Sequence, residues 1–420
     1  KTAYEISLGL VGSEMCIRDR ILVNSSGILN VLGGSNITAY NPEYVFLFNV
    51  YGHLIMRDSF LSRCERLYLR TTEGVELYNT TIKKNSCVGI ECDKSSGISI
   101  VNCTISDNQY TGIGCVSSSG ISIVGCTISN NQWYGIGCPW SSGINVINCT
   151  ISNNGWDGVY CPDSSNISIV NCTISNNGDG ISCSGSSDIS IINCTISGNG
   201  YGVVCEGSSS IGIVSCTISN NGWDGISCSE VSDINVINCT ISGNSYGVLC
   251  ERSSDASITG CMIISNRWDG IYCLFSYRIS VVNCTISNNE CGIVCGGSNI
   301  AVHYCNIYSN RGHGLYNAAE YVVNASYCWW GSPDGPEYKE EGDPDDPEEV
   351  YSYYGPKYLI YKPWLTEPID TIPPSVEILS PESGSYVKGA ITVSVDACDN
   401  ETGIDRVEFY INGTLIFTDF

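Results

Sequence analysis

Residues 98–115 read ISIVNCTISDNQYTGIGC. Ile98 and Ile100 alternate with Ser99 and Val101, the two-residue period of a strand that shows one face to a core. The alternation restarts at Cys103, Thr104, Ile105 and Ser106, pauses through a polar turn, and resumes at Gly112, Ile113, Gly114 and Cys115. Three short strands and three turns thus fill one unit of 22 or 23 residues. No segment carries a helical period, and Gly, Ser and Asn are too frequent for helices.

The unit recurs. One cysteine series runs Cys103, Cys126, Cys149, Cys172, Cys194, Cys216, Cys239, Cys261, Cys284, Cys305, and a second, from Cys92 to Cys295, falls about midway between its members. Two residues after each cysteine of the first series stands Ile, from Ile105 to Ile307. Five residues after it stands Asn in every unit: Asn108, Asn131, Asn154, Asn177, Asn199, Asn221, Asn244, Asn266, Asn289 and Asn310. Residues 79–85 fit as one earlier, less regular turn. A single unit cannot bury its apolar face, so units must stack. Stacking each strand on its equivalent predicts parallel sheets rising about 4.8 Å per coil, and roughly a dozen coils make a rod on the order of 60 Å long. The asparagines then form a structural ladder whose amides bond along the column, and Asn also tolerates the left-handed backbone of a tight turn.

Composition narrows the choice of partner. The 420 residues carry a formal charge of −24, which makes nucleic acid or an anionic membrane a poor partner. With 43% hydrophobic residues the chain is too apolar for an acidic disordered tail. No apolar run approaches the roughly 18 residues of a membrane-spanning helix. The 26 cysteines would suggest a disulfide framework in a small secreted protein, but here the repeat places them. Both series occupy the apolar phase of their strands and are expected to point inward. Equivalent cysteines would lie near 4.8 Å apart, within disulfide range, yet parallel side chains point the same way and bridging them would distort the coil. Buried thiols are the expectation, with a few disulfides or soft-metal binding as the alternative.

Coils of the pattern NCTISNNGWDGISC resemble the right-handed parallel β-helix repeat proteins of the pectate-lyase-like superfamily, and within it the NosD-like branch. The resemblance covers about residues 25 to 335. It implies an all-β fold, a right-handed single-stranded parallel β-helix, and leaves activity open among sugar lyases, hydrolases, surface proteins and a periplasmic copper-related protein. For copper only His53, His303 and His313 are on offer, and no Met or Cys pattern joins them. None of the acids and bases used by the sugar lyases carries over residue by residue.

The ends read differently. Residues 1–20 fit no coil, and residues 3–20 resemble the translation of a sequencing adapter, so they and Cys16 are set aside as a non-native segment. The β-helix is placed at 21–335. Tyr327 to Pro336 resembles the terminal motif of such helices, with Trp329 and Trp330 expected over the last coil. Residues 336–373 read as an acidic and aromatic linker, in which Asp343, Asp345, Asp346, Glu348 and Glu349 could hold calcium or simply be solvated. Residues 374–420 alternate as antiparallel strands and resemble the first part of a bacterial Ig-like domain, so the sequence reads as a fragment cut at both ends.

Candidate chemistry gathers in the turn after the Asn ladder. Tyr110, Trp133, Tyr134, Trp156, Tyr201, Trp223, Tyr246 and Trp268 are expected to form a stripe suited to stacking on sugar rings, with Asp157, Asp224 and Asp269 as hydroxyl partners. The alternative is that the rings pack on one another and shield the turn. Asp157 and Asp179, on adjacent coils, would approach the roughly 5 Å carboxyl separation of a retaining glycosidase, although Asp-Gly is ordinary turn chemistry. The expected function is an exported or cell-surface (or periplasmic) carbohydrate-binding or adhesive module. It would be monomeric, without a cofactor, and partnered by polysaccharide or a surface glycan. A polysaccharide lyase or glycoside hydrolase, or a NosD-like copper accessory protein, is the alternative.

Overall fold

The computed structural model of the chain describes residues 6–8, 20–39, 45–336, 350–369, 375–380, 393–398, 407–411 and 414–419. Three parallel sheets of 14, 15 and 15 strands wind around one another, each strand hydrogen-bonded to its counterpart one coil away. In a typical coil Ile113–Val116 belongs to the second sheet, Ser119–Val124 to the third and Thr127–Ser129 to the first. Register is strict: Ile105 pairs with Ile128, Ile128 with Ile151 and Ile151 with Ile174. Because like pairs with like, each inward position becomes a file. Ile128, Ile136, Cys138, Ile144 and Val146 are all buried in one continuous core.

Three more files run along the corners, and each fastens one coil to the next through a side chain. At the first corner Asn131 Oδ1 accepts both the backbone N–H of Asn108 (3.2 Å) and its side-chain amide (2.8 Å). Asn131 Nδ2 donates in turn to Ile105 O and to Asn154 Oδ1. Both amide hydrogens and both carbonyl lone pairs are used, so a primary amide buried in an apolar stack is fully satisfied. The ladder starts at Asn85, whose N–H donates to Asn108 Oδ1, and is seen as far as Asn310.

The second corner carries a serine file: Ser118 Oγ accepts the Ser95 amide at 3.0 Å and offers its proton to Cys92 O and Val116 O. It continues through Ser141, Ser164, Ser186 and Ser208, is broken by Val231, and resumes at Ser253. At the third corner the first cysteine series plays the same part. Cys126 Sγ lies 3.4 Å from the Cys103 amide and faces Val124 O and Ile100 O. Earlier in the same column Ser59 and Thr80 make the matching bonds with oxygen. The first series is therefore a hydroxyl position filled by sulfur, whereas the second series stands inside the core. Every cysteine from Cys64 to Cys328 is a free thiol. Burial holds the Cys295 thiol above its ordinary value, which keeps it protonated and unreactive.

Several details differ from the expectation. The left-handed backbone lies not at the ladder asparagines but one residue earlier, at Asn130, Asn153, Asn176, Asn220 and Asn288, with φ of 54° to 58°. The ladder residue must aim its amide and its side chain along the stack, so the change of direction falls to its neighbour. The stack also extends past residue 335. Val350–Ser352 pairs with Leu315–Asn317, and Leu359–Ile360 with Val323–Asn324, because Val350 and Leu359 supply inward apolar residues in the same files. At the other end Ile6–Leu8, in the segment set aside, lies parallel to Asn36–Ala39. Trp330 is fully buried in the core, and Trp364 packs against that core. The acidic group from Asp343 to Glu349 and Cys16 lie outside the described residues.

A second unit spans Pro368–Phe420. In it Ser375–Ser380 pairs antiparallel with Ser394–Cys398, and Val407–Ile411 with Thr414–Asp419.

Two stability predictions follow from the corner files. Asn154→Ala orphans the Asn131 amides and the Ile128 carbonyl together, and is expected to cost about 3 kcal/mol or more in urea unfolding. Because coils contact only their neighbours, a break at the centre should also split one unfolding transition into two. Cys126→Ser, which restores the oxygen found at Ser59 and Thr80, is expected to stay within about 1 kcal/mol of the parent, whereas Cys138→Ser, set among sulfur neighbours in the core, should cost about 1–3 kcal/mol.

Candidate carbohydrate-binding face

From Asn85 to Gly292 the turn between each ladder Asn and the following Gly is the one place where coil length varies. It holds three residues in Asn154–Gly158 and two in Asn177–Gly180. The Gly is required by close approach: a Cβ on Gly158 would stand 2.6 Å from Ile174 Cγ2 and 3.0 Å from Asn177 Nδ2. Backbone bonds between successive turns sort the residues into two columns rather than one stripe. The outer column runs Tyr110, Trp133, Trp156, Gly178, Gly200, Trp223, Ser245, Trp268, each amide donating to the carbonyl before it. The inner column, next to the Gly, runs Thr111, Tyr134, Asp157, Asp179, Tyr201, Asp224, Tyr246, Asp269.

Tyr201 and Tyr246 therefore do not align with the indoles. In the shorter turns the residue missing is the one just after Asn, so Gly178, Gly200 or Ser245 takes the place an indole holds elsewhere. What remains of the stripe is a run of three rings, a two-glycine gap, and two isolated indoles. Trp133 and Trp156 are stacked at 4.9 Å with planes 2° apart, and Tyr110 leans on Trp133 at 4.8 Å. The inner faces of this run are covered by its own members, the self-packing alternative. Trp156 is still 49% exposed, and the next two positions beyond it in its column have no side chain. Across the gap Trp223 is 60% exposed, backed by Tyr201 at 6.1 Å. Three coil rises, about 14 Å, separate the two indole positions.

The inner column supplies carboxylates. Asp157 Oδ1 accepts the Asp179 amide at 3.4 Å, and Asp179 Oδ1 accepts the Tyr201 amide at 3.0 Å. The adjacent pair is thus brought together, and each member also braces the next turn. Burial, reinforced by the charge of Asp179, pushes the Asp157 carboxyl up to about 7. Burial likewise raises Asp224, and Asp269 to about 6. Reading the turn residues alone missed two tyrosines on the outer face of the second sheet. Tyr160 stacks on Tyr134 at 4.4 Å, and Tyr272 lies 5.4 Å from Tyr246. Their signal was available, since each follows an inward Val159 or Ile271 by one residue and so must point outward.

His53 and His303 belong to the third sheet, whereas His313 stands in the inner column two coils past Asp269, its carbonyl accepting the Gly292 amide. His303 Nδ1 contacts Ser326 O at 3.1 Å, and His313 stacks with Tyr316 and Tyr351. Among the described residues no group of three or more His, Cys, Asp or Glu is placed to hold a metal ion. No helix among them is long and apolar enough to cross a membrane.

The family described as "Right handed beta helix region" matches residues 13–143, 65–210, 134–267 and 201–330 in overlapping spans, and the chain belongs to that family. Residues 374–420 match the bacterial Ig domain. Among solved structures the chain is similar to the periplasmic alginate epimerase AlgG, at 15% identity over 73% of this chain and 76% of that one, with a TM-score of 0.45. It is also similar to the tailspike protein gp49 from Pseudomonas phage LKA1 (13% identity, 73% and 51% covered, TM-score 0.38). A third likeness is to pectate lyase Pel9A (14% identity, 63% and 68% covered, TM-score 0.29). At these identities the likeness concerns the fold alone. No curated protein matches the chain.

The raised carboxyls set a pH dependence. Their folded pKa lies above the unfolded one, so their contribution to stability is complete below about pH 4 and is lost as pH rises toward 7. Asp157→Asn removes the ionisation while keeping an acceptor for the Asp179 amide. The difference in melting temperature between this variant and the parent should grow in the variant's favour from pH 4.5 to pH 7.5, followed by circular dichroism. A constant difference would contradict the assignment.

Proposed function

We propose that this is an exported or cell-surface protein whose β-helix binds carbohydrate without transforming it, acting as a monomer. The observation that carries this reading is the interval bounded by Trp156 and Trp223. Two exposed indoles stand in one column, the positions between them are glycines, and Asp157, Asp179 and Tyr201 line the adjacent column. An aromatic surface beside hydrogen-bonding side chains, with no bulk in between, suits a polyhydroxylated ring that offers an apolar face and polar edges. The rigid sheet beneath holds these groups at fixed spacing, so little is lost in ordering them. The section matching a bacterial Ig domain supports an extracellular setting, where such modules commonly serve as stalks.

One observation favours a hydrolase instead. A carboxyl held near 7 beside a second carboxyl is the pairing expected of a general acid and its partner. Both groups, however, accept backbone amides of neighbouring turns, and that bracing explains them without catalysis. A reducing-sugar assay on a panel of polysaccharides is expected to show no release. Release lost in Asp157→Asn and Asp179→Asn would establish the enzyme.

The binding reading is tested on a glycan array with the double variant Trp156→Ala plus Trp223→Ala. Affinity for the best glycan is expected to fall at least tenfold. Trp140→Ala, which removes an equally exposed indole from a different corner of the coil, should leave it unchanged. Equal loss in both variants, or in neither, would remove the interval as the site.

A further inference from the structure

We infer that the glycan held between Trp156 and Trp223 carries no carboxylate or sulfate, being built of neutral sugars or amino sugars. This rests on the carbohydrate reading above and narrows it to a ligand class. From Ser95 to Glu251 the chain contains no Lys, Arg or His, while it contains ten Asp and Glu. Seven consecutive members of the Asn ladder, Asn108 to Asn244, fall in that stretch, and the Trp156–Trp223 interval lies inside it. Anionic polysaccharides are bound through cations that offset their charge, guanidinium above all because its fork matches a carboxylate. No such group is available here.

Several of the described arginines outside this stretch are engaged. Arg66 pairs with Glu91 at 3.0 Å, Arg70 with Asp93 at 3.6 Å, Arg252 with Glu251 at 2.9 Å and Arg278 with both oxygens of Asp255. Arg267 precedes Trp268 and belongs to a coil beyond the interval. The carboxyl groups that line the interval instead are the half-buried Asp157 and Asp179, with Asp224 buried beneath. Above about pH 7, where Asp157 is ionised beside Asp179, a polyanion laid along them would set like charges side by side within a screening length of about 10 Å at 0.1 M salt. Neutral hydroxyls meet the same carboxylates as hydrogen-bond donors, and an ammonium group meets them as a counter-charge.

Titration calorimetry on the full chain provides the test, in EDTA, at pH 8 and low ionic strength. The probes are cello- and xylo-oligosaccharides, chito-oligosaccharides with and without their acetyl groups, and oligomers of galacturonate and mannuronate. At least one neutral or amino-sugar oligomer is expected to bind, and the uronates at least tenfold more weakly, with the gap narrowing as salt is added. Uronate binding as tight as the best neutral oligomer would overturn the inference while leaving the carbohydrate reading in place. So would uronate binding that appears only when calcium replaces EDTA, since the ligand would then be anionic. If no oligomer of any charge binds, both fall together.

Discussion

The side-chain amide that bonds to its own copy one coil away is the constraint on which the rest of this molecule depends. Asn131 cannot satisfy its four hydrogen-bonding positions through the sheets, which offer it only the Ile105 carbonyl. It needs the same residue above and below in the same rotamer. Once that is granted, register is fixed to the residue, because a slip by one would leave every amide in the file unpaired in a core with no water to replace it. Ile files, thiol files and the outer columns all inherit their alignment from it. The Ser and Cys corners repeat the device with weaker groups, and the break at Val231 is tolerated because the other two corners hold that coil in place.

The core and the exterior are consequently almost independent of one another. Inward positions alternate between Ile or Val and Cys with little variation, while the turn outside the ladder ranges over Trp, Tyr, Asp, Gly, Ser and Glu. The two domains of chemistry meet only at the Gly before each second-sheet strand, where the ladder amide leaves no space for a side chain. Charge follows the same division. Among the described residues no charged side chain belongs to the core, and Asp157 and Asp269 lie on the turns, where burial against the neighbouring turn raises them while backbone amides partly compensate.

Most of the fold was legible in the sequence because the repeat displays its own stacking. Ten asparagines at one position, with Ile three residues before each, leave one parallel arrangement open. The serine file was equally visible, three residues after most cysteines of the second series, yet serine is common enough in turns to pass unnoticed. The dual nature of the cysteines was not legible from their spacing: only Ser59 and Thr80, in coils whose repeat is blurred, reveal that one series substitutes for hydroxyls. The candidate face was half legible. Aromatic content marked the turn, but whether Tyr201 stands beside Trp223 or in line with it depends on which residue a short turn omits. That omission is decided by backbone bonds such as Trp223 N–H to Gly200 O, and counting along the chain does not reveal it.

The elastic turn has a longer reach than any single site. A one-residue change between the ladder Asn and its Gly exchanges a displayed ring for Gly178, Gly200 or Ser245 while the ladder bonds on either side are kept. Duplicating or excising a whole coil moves every downstream ring by one rise without altering its surroundings. A lineage carrying this architecture can thus respace its surface rings in whole-coil increments, as beads move along a wire, while the ladder beneath keeps its register.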